Sequence, residues 1–411
     1  MKNIFLKMSL TAALFAFIFN TTATAQLNLC DENGINQVTG KRCQNTIVTS
    51  VPFLRIIPDA RSGAMGDVGI AISPDANSMH FNPSKLAFAD QDLGISATYT
   101  PWLRALGLQD VYMAYLSGYK RIDDLQTVGV GLRYFSLGTI QFTDENGEAL
   151  GSDRPNEFEL SVAYSRKLSD KFSAGLAMKY IYSRLASGQT VEDETITPGN
   201  AVAGDLSFTY RTPLEIGGSD ALLTIGGAIT NLGTKISYTQ SANKDYIPTN
   251  LGIGAGLEYA IDDFNTINFA LDINRLLVPT PPGDPVPFAE GDPDVPDYKE
   301  RSVIAAALGS FGDAPGGFAE EMSENTYSVG IEYWYDKQFA VRIGHFNESK
   351  NKGNRKFFTV GLGLKYNIFG LNFSYLVPTT NQRNPLDNTL RFSLLFDFGA
   401  FEGDGPRGGG L

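Results

Sequence analysis

The chain has 411 residues, with 33 Lys and Arg against 45 Asp and Glu, a formal net charge of −12, two cysteines and two histidines. That acidic balance excludes a nucleic-acid binder, whose affinity rests on phosphate contacts, and no basic stripe, helix-turn-helix, finger or RNP-like pattern argues otherwise. Common catalytic signatures are absent as well, since no G-x-S-x-G, H-E-x-x-H or Walker pattern occurs.

Residues 1–25 read as a secretory signal. Lys2 and Lys7 form a positive start, Met8 to Phe19 is almost wholly apolar, and Ala23-Thr24-Ala25 offers a small-x-small cleavage site ahead of Gln26. The apolar run is about a dozen residues where a helical span needs roughly 20. Leu29 is too large for the residue that precedes a lipidated cysteine, so Cys30 does not read as a lipoprotein anchor. Removing the two signal lysines takes the formal charge from −12 to −14. No later segment reaches 18 consecutive apolar residues, which leaves a soluble exported protein or an outer-membrane barrel of a Gram-negative envelope.

Residues 26–50 form a polar lead-in that holds both cysteines, Cys30 and Cys43. In an oxidising envelope they read as a disulfide closing a small loop, with two free thiols as the alternative. No metal site is expected there, because His80 and His345 are remote in sequence.

Residues 51–91 are neither strand-like nor a good helix. Small residues crowd Arg61 to Ala71, including Gly63, Gly66 and Gly69, and Ser73-Pro74 and Asn82-Pro83 each read as a cap-plus-proline start or a turn. Such a segment packs tightly on other backbone but cannot bury a core of its own. The expectation is an internal plug, with Gly63, Gly66, Gly69, Asn82 and Pro83 packing against the wall around it.

Residues 92–398 carry fourteen alternating runs of about nine or more residues, the length of a tilted transmembrane strand. Val128, Val130, Leu132 and Tyr134 oppose Thr127, Gly129, Gly131 and Arg133. Leu176, Met178, Tyr180 and Tyr182 oppose Gly175, Ala177, Lys179 and Ser183. Leu251, Ile253, Ala255 and Leu257 oppose Gly252, Gly254, Gly256 and Glu258, and Phe358, Val360, Leu362 and Leu364 oppose Phe357, Thr359, Gly361 and Gly363. One face is oily with aromatic residues towards its ends, as in lipid-facing girdles. The other is small, and its glycines suit a wall against which something packs closely.

The connections alternate in length. Long ones include Gly138–Asn156, Ala186–Gly199, Asn231–Ile247, Val278–Glu324, Asn347–Arg355 and Pro378–Asp387. Short ones include Ser169–Lys171, Ile261–Asn265, Asp336-Lys337 and a turn at Phe369-Gly370. Short periplasmic turns and longer extracellular loops make this rhythm, and an even strand count puts both termini in the periplasm. The predicted fold is all-β: a 14-stranded antiparallel transmembrane barrel with an N-terminal hatch in its lumen. Leu390 to Phe398 is the last strand, and residues 399–411 are a Gly-rich tail.

Val278–Glu324 is too long for an ordinary loop. Its first part, Pro279 to Pro296, is Pro- and Asp-rich; Ser302 to Leu308 suits a short amphipathic helix, which Gly309, Gly312 and Pro315 end. From loop length and apolar content, the candidate partner contacts are Pro279, Pro282, Val286, Phe288, Val295, Tyr298, Val303, Ile304, Leu308, Phe311 and Phe318. The bland alternative is a lid over the barrel mouth. Asp292, Asp294 and Asp297 lack a calcium-loop register and read as solvated carboxylates. His345, four residues before Ser349, reads as an interfacial histidine, and His80 as a packing or hydrogen-bonding residue; no catalytic, metal or cofactor residue is assigned.

Ala60-Arg61-Ser62-Gly63-Ala64-Met65-Gly66-Asp67, then Ser73-Pro74-Asp75-Ala76, Phe81-Asn82-Pro83 and Trp102-Leu103, resemble the PorV family. That family is the outer-membrane component of the type IX secretion system of Bacteroidetes, and is similar to FadL-type long-chain fatty-acid transporters with fourteen strands and an N-terminal hatch. The likeness covers about Thr46 to Phe398 and leaves the Cys30/Cys43 lead-in outside the family pattern. It implies a non-enzymatic protein without a cofactor, set in outer-membrane lipid. Its implied partners are the large translocon barrel, the C-terminal signal domains of secreted cargo and the cell-surface attachment complex, between which it shuttles cargo. A transporter of hydrophobic small molecules is the alternative that the wider superfamily implies, and predicts an apolar pocket between plug and wall. A lipid-modifying enzyme would require His345 or Ser349.

Overall fold

The computed structural model describes residues 46–104, 107–143, 148–186, 188–191, 194–239, 244–281, 299–314, 316–379 and 389–399. The signal reading of residues 1–25, the Cys30–Cys43 pairing, the aspartates at 292, 294 and 297, and the tail beyond residue 399 lie outside them.

Fourteen strands form one closed antiparallel barrel. They are Leu93–Pro101 (β1), Val111–Arg121 (β2), Gln126–Leu137 (β3), Asn156–Ser169 (β4), Phe172–Arg184 (β5), Gly199–Ile216 (β6) and Ser219–Gly233 (β7). The second half comprises Asn250–Ala260 (β8), Asn265–Leu276 (β9), Thr326–Tyr335 (β10), Phe339–Asn347 (β11), Lys356–Tyr366 (β12), Phe369–Pro378 (β13) and Leu390–Phe398 (β14). Each strand pairs with its sequence neighbours, and β1 closes on β14 from Leu93 opposite Phe398 to Tyr99 opposite Phe392. Closure leaves no sheet edge, which is what allows strands to cross hydrocarbon. Among the described residues no helix is long and apolar enough to cross a membrane.

The alternation comes from the period of two along a strand. In β3, Thr127, Gly129, Gly131 and Arg133 are buried and Val128, Val130 and Leu132 exposed; in β12, Phe357, Thr359, Gly361 and Gly363 are buried and Phe358, Val360, Leu362 and Leu364 exposed. A ring of exposed aliphatic rows is a lipid-facing surface. The inward face, read as small, also carries large apolar side chains. Ile181, Met113, Val111 and Phe135 point inward and form an apolar cluster with Trp102, Val51, Phe53 and Leu54.

All six short turns lie at one end, where β1 also begins and β14 ends; the long connections lie at the other. One turn is displaced from its expected place. Tyr366 pairs with Phe369, so the β12–β13 turn is Asn367-Ile368 and not Phe369-Gly370. Asn367 takes φ of 53°, a left-handed conformation that Asn tolerates. Two long connections contain small hairpins, Ile140–Thr143 with Ala149–Asp153 and Thr190–Val191 with Glu194–Thr195, that loop length alone did not indicate.

Residues 52–88 form only short helices: 3₁₀ helices Pro52–Arg55 and Pro83–Phe88, and α-helices Ala60–Gly63 (α1) and Ser78–Phe81 (α2). Asn82-Pro83 does start a helix, with Asn82 Oδ1 accepting from the Ser84 amide at 3.2 Å and Pro83 in the first turn. Ser73-Pro74 does not; Ser73 Oγ instead accepts from Arg61 Nη2 at 2.7 Å. Because so few of its backbone groups pair locally, the segment bonds to inward side chains of the strands. Ala60 N donates to Ser393 Oγ (2.8 Å), Gly66 N to Thr359 Oγ1 (2.8 Å), and Gly69 N and Ile70 N to Asp272 Oδ2 (2.7 and 2.9 Å). Ser165 Oγ donates to the Pro83 carbonyl at 2.6 Å and Ser173 Oγ to the Ser84 carbonyl at 2.8 Å.

Backbone-to-backbone approach explains many of the glycines. A Cβ on Gly66, which has φ of +70°, would sit 2.5 Å from His345 N, and one on Gly256 would sit 2.5 Å from the Ala71 carbonyl oxygen. Gly344 and Gly330 face Met65, Gly175 faces Ser84, and Gly254 faces Ile70 and Asp272. Three glycines make room for other groups: Gly69 for the Phe81 ring of its own segment, Gly131 for Ser161 and Tyr115, and Gly363 for Arg342 and Asn372. Gly66→Val is therefore expected to abolish the heat-resistant folded band in unheated electrophoresis, whereas Gly312→Val, which meets nothing within 4 Å, leaves it. A folded G66V barrel would count against this packing.

Candidate functional site

At the long-loop end, the described residues of the β9–β10 connection form a shelf tied to the barrel. Leu276 and Val278 bury with Ile47, Tyr246 and Ala306. Helix Val303–Gly309 (α3) starts at Ser302, whose Oγ accepts from the Ala305 amide at 3.3 Å; helix Phe318–Ser323 (α4) follows. Arg275, at the end of β9, clamps both helices. Its Nη1 donates to the Glu321 carbonyl at 2.8 Å, and Nη2 reaches the Ser310 carbonyl, the Glu321 carboxylate and Glu324 Oε2, the last at 2.9 Å. Lys352 joins from the β11–β12 connection, on Glu320 and at 3.1 Å on Glu324 Oε1, and Thr280 Oγ1 donates to the same Glu324 oxygen at 2.6 Å.

With their polar side tied down, α3 and α4 present apolar side chains outward. Ile304 is 58% exposed, Leu308 72%, Phe311 53%, Phe318 80% and Met322 46%. These side chains form an exposed apolar patch on a connection, outside the lipid-facing strand rows. Of the residues anticipated as partner contacts, Ile304, Leu308, Phe311 and Phe318 are on this patch. Val303 is half-buried against the Val278 cluster and Pro279 is buried. Pro282, Val286, Phe288, Val295 and Tyr298 lie outside the described residues. Met322 and the Arg275–Glu321–Glu324–Lys352 clamp escape a sequence reading, since the clamp joins residues far apart in the chain.

Much of the interior charge is paired within the barrel. Glu332, fully buried on β10, accepts from Arg61 Nε and Nη2 at 2.9 and 2.7 Å, from Arg342 Nε at 2.6 Å and from Asn268 at 2.9 Å. Across the lumen, Lys179 pairs with Asp205 at 2.8 Å, and Arg133 lies 3.5 Å from Glu159. Arg133 Nη1 donates to the carbonyls of Phe53 (3.2 Å) and Leu54 (3.0 Å), and Nη2 meets His80 Nδ1. His80 is thus a hydrogen-bonding residue. His345 is half-buried in the outward row of β11, its ring 4.6 Å from that of Phe358.

Between residues 54–81 and the strand wall lies a chamber of about 110 Å³, lined on one side by Asn231, Asn250, Asn274 and Lys179 and on the other by Asp67 and His80. Arg55 and Arg355 line it as well. Glu348, beside them, is drawn both ways: burial raises its carboxyl, but the hydrogen bonds and charge of Arg355 outweigh this and hold it below the usual range. The lining is mixed, with Leu54, Ile57, Ile70, Phe81 and Phe346 beside these polar groups. Among the described residues no group of histidine, cysteine or carboxylate side chains is placed to hold a metal ion.

Solved structures similar to this one include the Ralstonia pickettii toluene transporter TbuX, at 11% identity and a TM-score of 0.45, covering 83% of this chain and 98% of that one. The P. putida toluene transporter TodX matches at 12% identity and a TM-score of 0.45, covering 83% and 98%. A Pseudomonas aeruginosa FadL homologue matches at 10% identity and a TM-score of 0.41, covering 86% and 100%. A comparison with curated proteins finds no match. The family model described as type IX secretion system protein PorV matches residues 39–283, more than half of the chain. A closed fourteen-strand barrel with lipid-facing rows and this family match together make the chain an outer-membrane component of type IX secretion, and it belongs to the PorV family.

Proposed function

We propose that this barrel is a binding and shuttle protein. It engages cargo at the large translocon barrel through the cargo's C-terminal signal domain and passes it to the cell-surface attachment complex. Both termini are periplasmic and the long-loop end is extracellular. Residues 1–25 are the export signal, residues 51–91 close the lumen as a plug, and the chain carries out no catalysis.

The observation that carries the reading is the shelf. Side chains as apolar as Leu308 and Phe318 stay exposed because the Arg275 clamp holds the opposite side of α3 and α4 to the barrel. A preorganised apolar surface binds without the entropic cost of ordering a loop. Affinity purification of the tagged chain from its own outer membrane tests the reading. Recovery of translocon and attachment components with it is expected; recovery of the barrel alone would overturn it.

A further inference from the structure

Two guanidinium groups meet one carboxylate at the edge of the interior chamber. Arg355 takes both oxygens of Glu348, Nε on Oε2 and Nη2 on Oε1 at 2.8 Å each, and is braced over the Phe346 ring at 5.3 Å. Arg55 comes no closer than 3.6 Å to the same carboxylate, beyond good hydrogen-bond length. It borders both the chamber and an adjoining void of about 30 Å³. Enclosure pushes the Arg55 guanidinium down to about 10, and the charge of Arg355 pushes the same way.

The rest of the lining is rich in donors. His80 Nδ1 faces Arg133, which can only donate, so Nδ1 accepts and Nε2 carries the hydrogen. Lys179 is matched by Asp205, which leaves Asp67 as the carboxylate in the lining, within the field of Arg391 and Arg355. Around Glu348, then, two guanidinium groups share one carboxylate, with Asp67 the acidic group in the lining. A bidentate fork with a second, loosely tied guanidinium beside it is the chemistry that grips carboxylate or phosphate oxygens.

We infer that the chamber is a binding site for a small free oxyanion, a phosphate or a carboxylate, held between Arg55 and Arg355. Its volume of about 110 Å³ accommodates several water molecules, and hence an ion of a few heavy atoms. A phospholipid headgroup presents the same oxygens, so the test separates the two sources.

The test uses the full folded barrel in detergent and follows the thermal unfolding midpoint during titration with sodium phosphate, against sodium chloride at equal ionic strength. Phosphate is expected to raise the midpoint, since a ligand bound only to the folded state stabilises it. Arg55→Gln leaves the Arg355–Glu348 fork intact and should weaken half-saturation by about tenfold or more. Glu348→Gln keeps the shape but removes the competing carboxylate, and should strengthen it. A purely structural disturbance would weaken both variants, so opposite signs are diagnostic. No phosphate-specific rise in the unmodified protein, or an E348Q response weakened like that of R55Q, overturns the assignment. A second arm places phosphatidic acid in the micelle; a rise with that lipid and none with free phosphate overturns the free-ion source.

Discussion

Glu332→Ala is expected to destabilise the folded barrel by about 3–5 kcal/mol, among the largest effects available to a single interior substitution. The carboxylate is fully buried, and it is the common acceptor for Arg61 of the N-terminal segment and Arg342 of β11. Without it, two guanidinium groups face each other across an uncompensated cavity. Arg342 retains Asn372 at 2.8 Å and the face of Trp334 at 5.4 Å, while Arg61 keeps only Ser73 and a 3.5 Å approach to Asp75. The loss therefore falls on the attachment of residues 59–75 to the wall. Urea unfolding followed by tryptophan fluorescence should show the midpoint drop, and limited proteolysis should cut residues 59–75 first. Glu332→Gln, which keeps the volume and one acceptor oxygen, should fall between. An E332A barrel with an unchanged midpoint would remove this ion cluster from the account of what holds that segment.

The second large effect is on association. Replacing Leu308 and Phe318 together with aspartate should reduce recovery of partner proteins by about tenfold or more, because exposed anchors of this kind carry most of an interface's energy. The folded state should be untouched. Both side chains point away from the barrel, and the contacts that position α3 and α4 belong to Arg275, Glu321, Glu324 and Lys352. Heat-modifiability electrophoresis checks folding, and quantitative co-purification checks binding. Unchanged recovery from a correctly folded double variant would move the partner surface elsewhere on the long loops. Arg275→Ala is a useful contrast, since it should loosen the shelf and weaken recovery without altering any exposed residue.

What the sequence alone determined about this protein is what period and local chemistry carry. Val128, Val130 and Leu132 fall on one face because successive side chains alternate, and no tertiary information is needed to see a lipid-facing row. Fourteen such rows with a long–short rhythm of connections implied the closed barrel, and the apolar run after Ser302 implied the short helix that follows it. Only the tertiary structure decided which side chains meet once the strands close. Ile181 faces inward against Phe53 and Trp102, and Arg275 finds Glu321 46 residues later. Arg55, Arg355 and Glu348 come together from chain positions some 300 residues apart. Asn367, not Gly370, makes its turn because the register across β12 and β13 puts Tyr366 opposite Phe369. The physical reason is common to all of them: alternation assigns a face, but a buried charge or an inward aliphatic residue is satisfied by whatever register and closure bring opposite it. The exposed shelf was partly visible as an apolar loop. That Arg275 ties it to the barrel, and that Arg55 and Arg355 share Glu348 beside the chamber, depended on contacts no local pattern encodes.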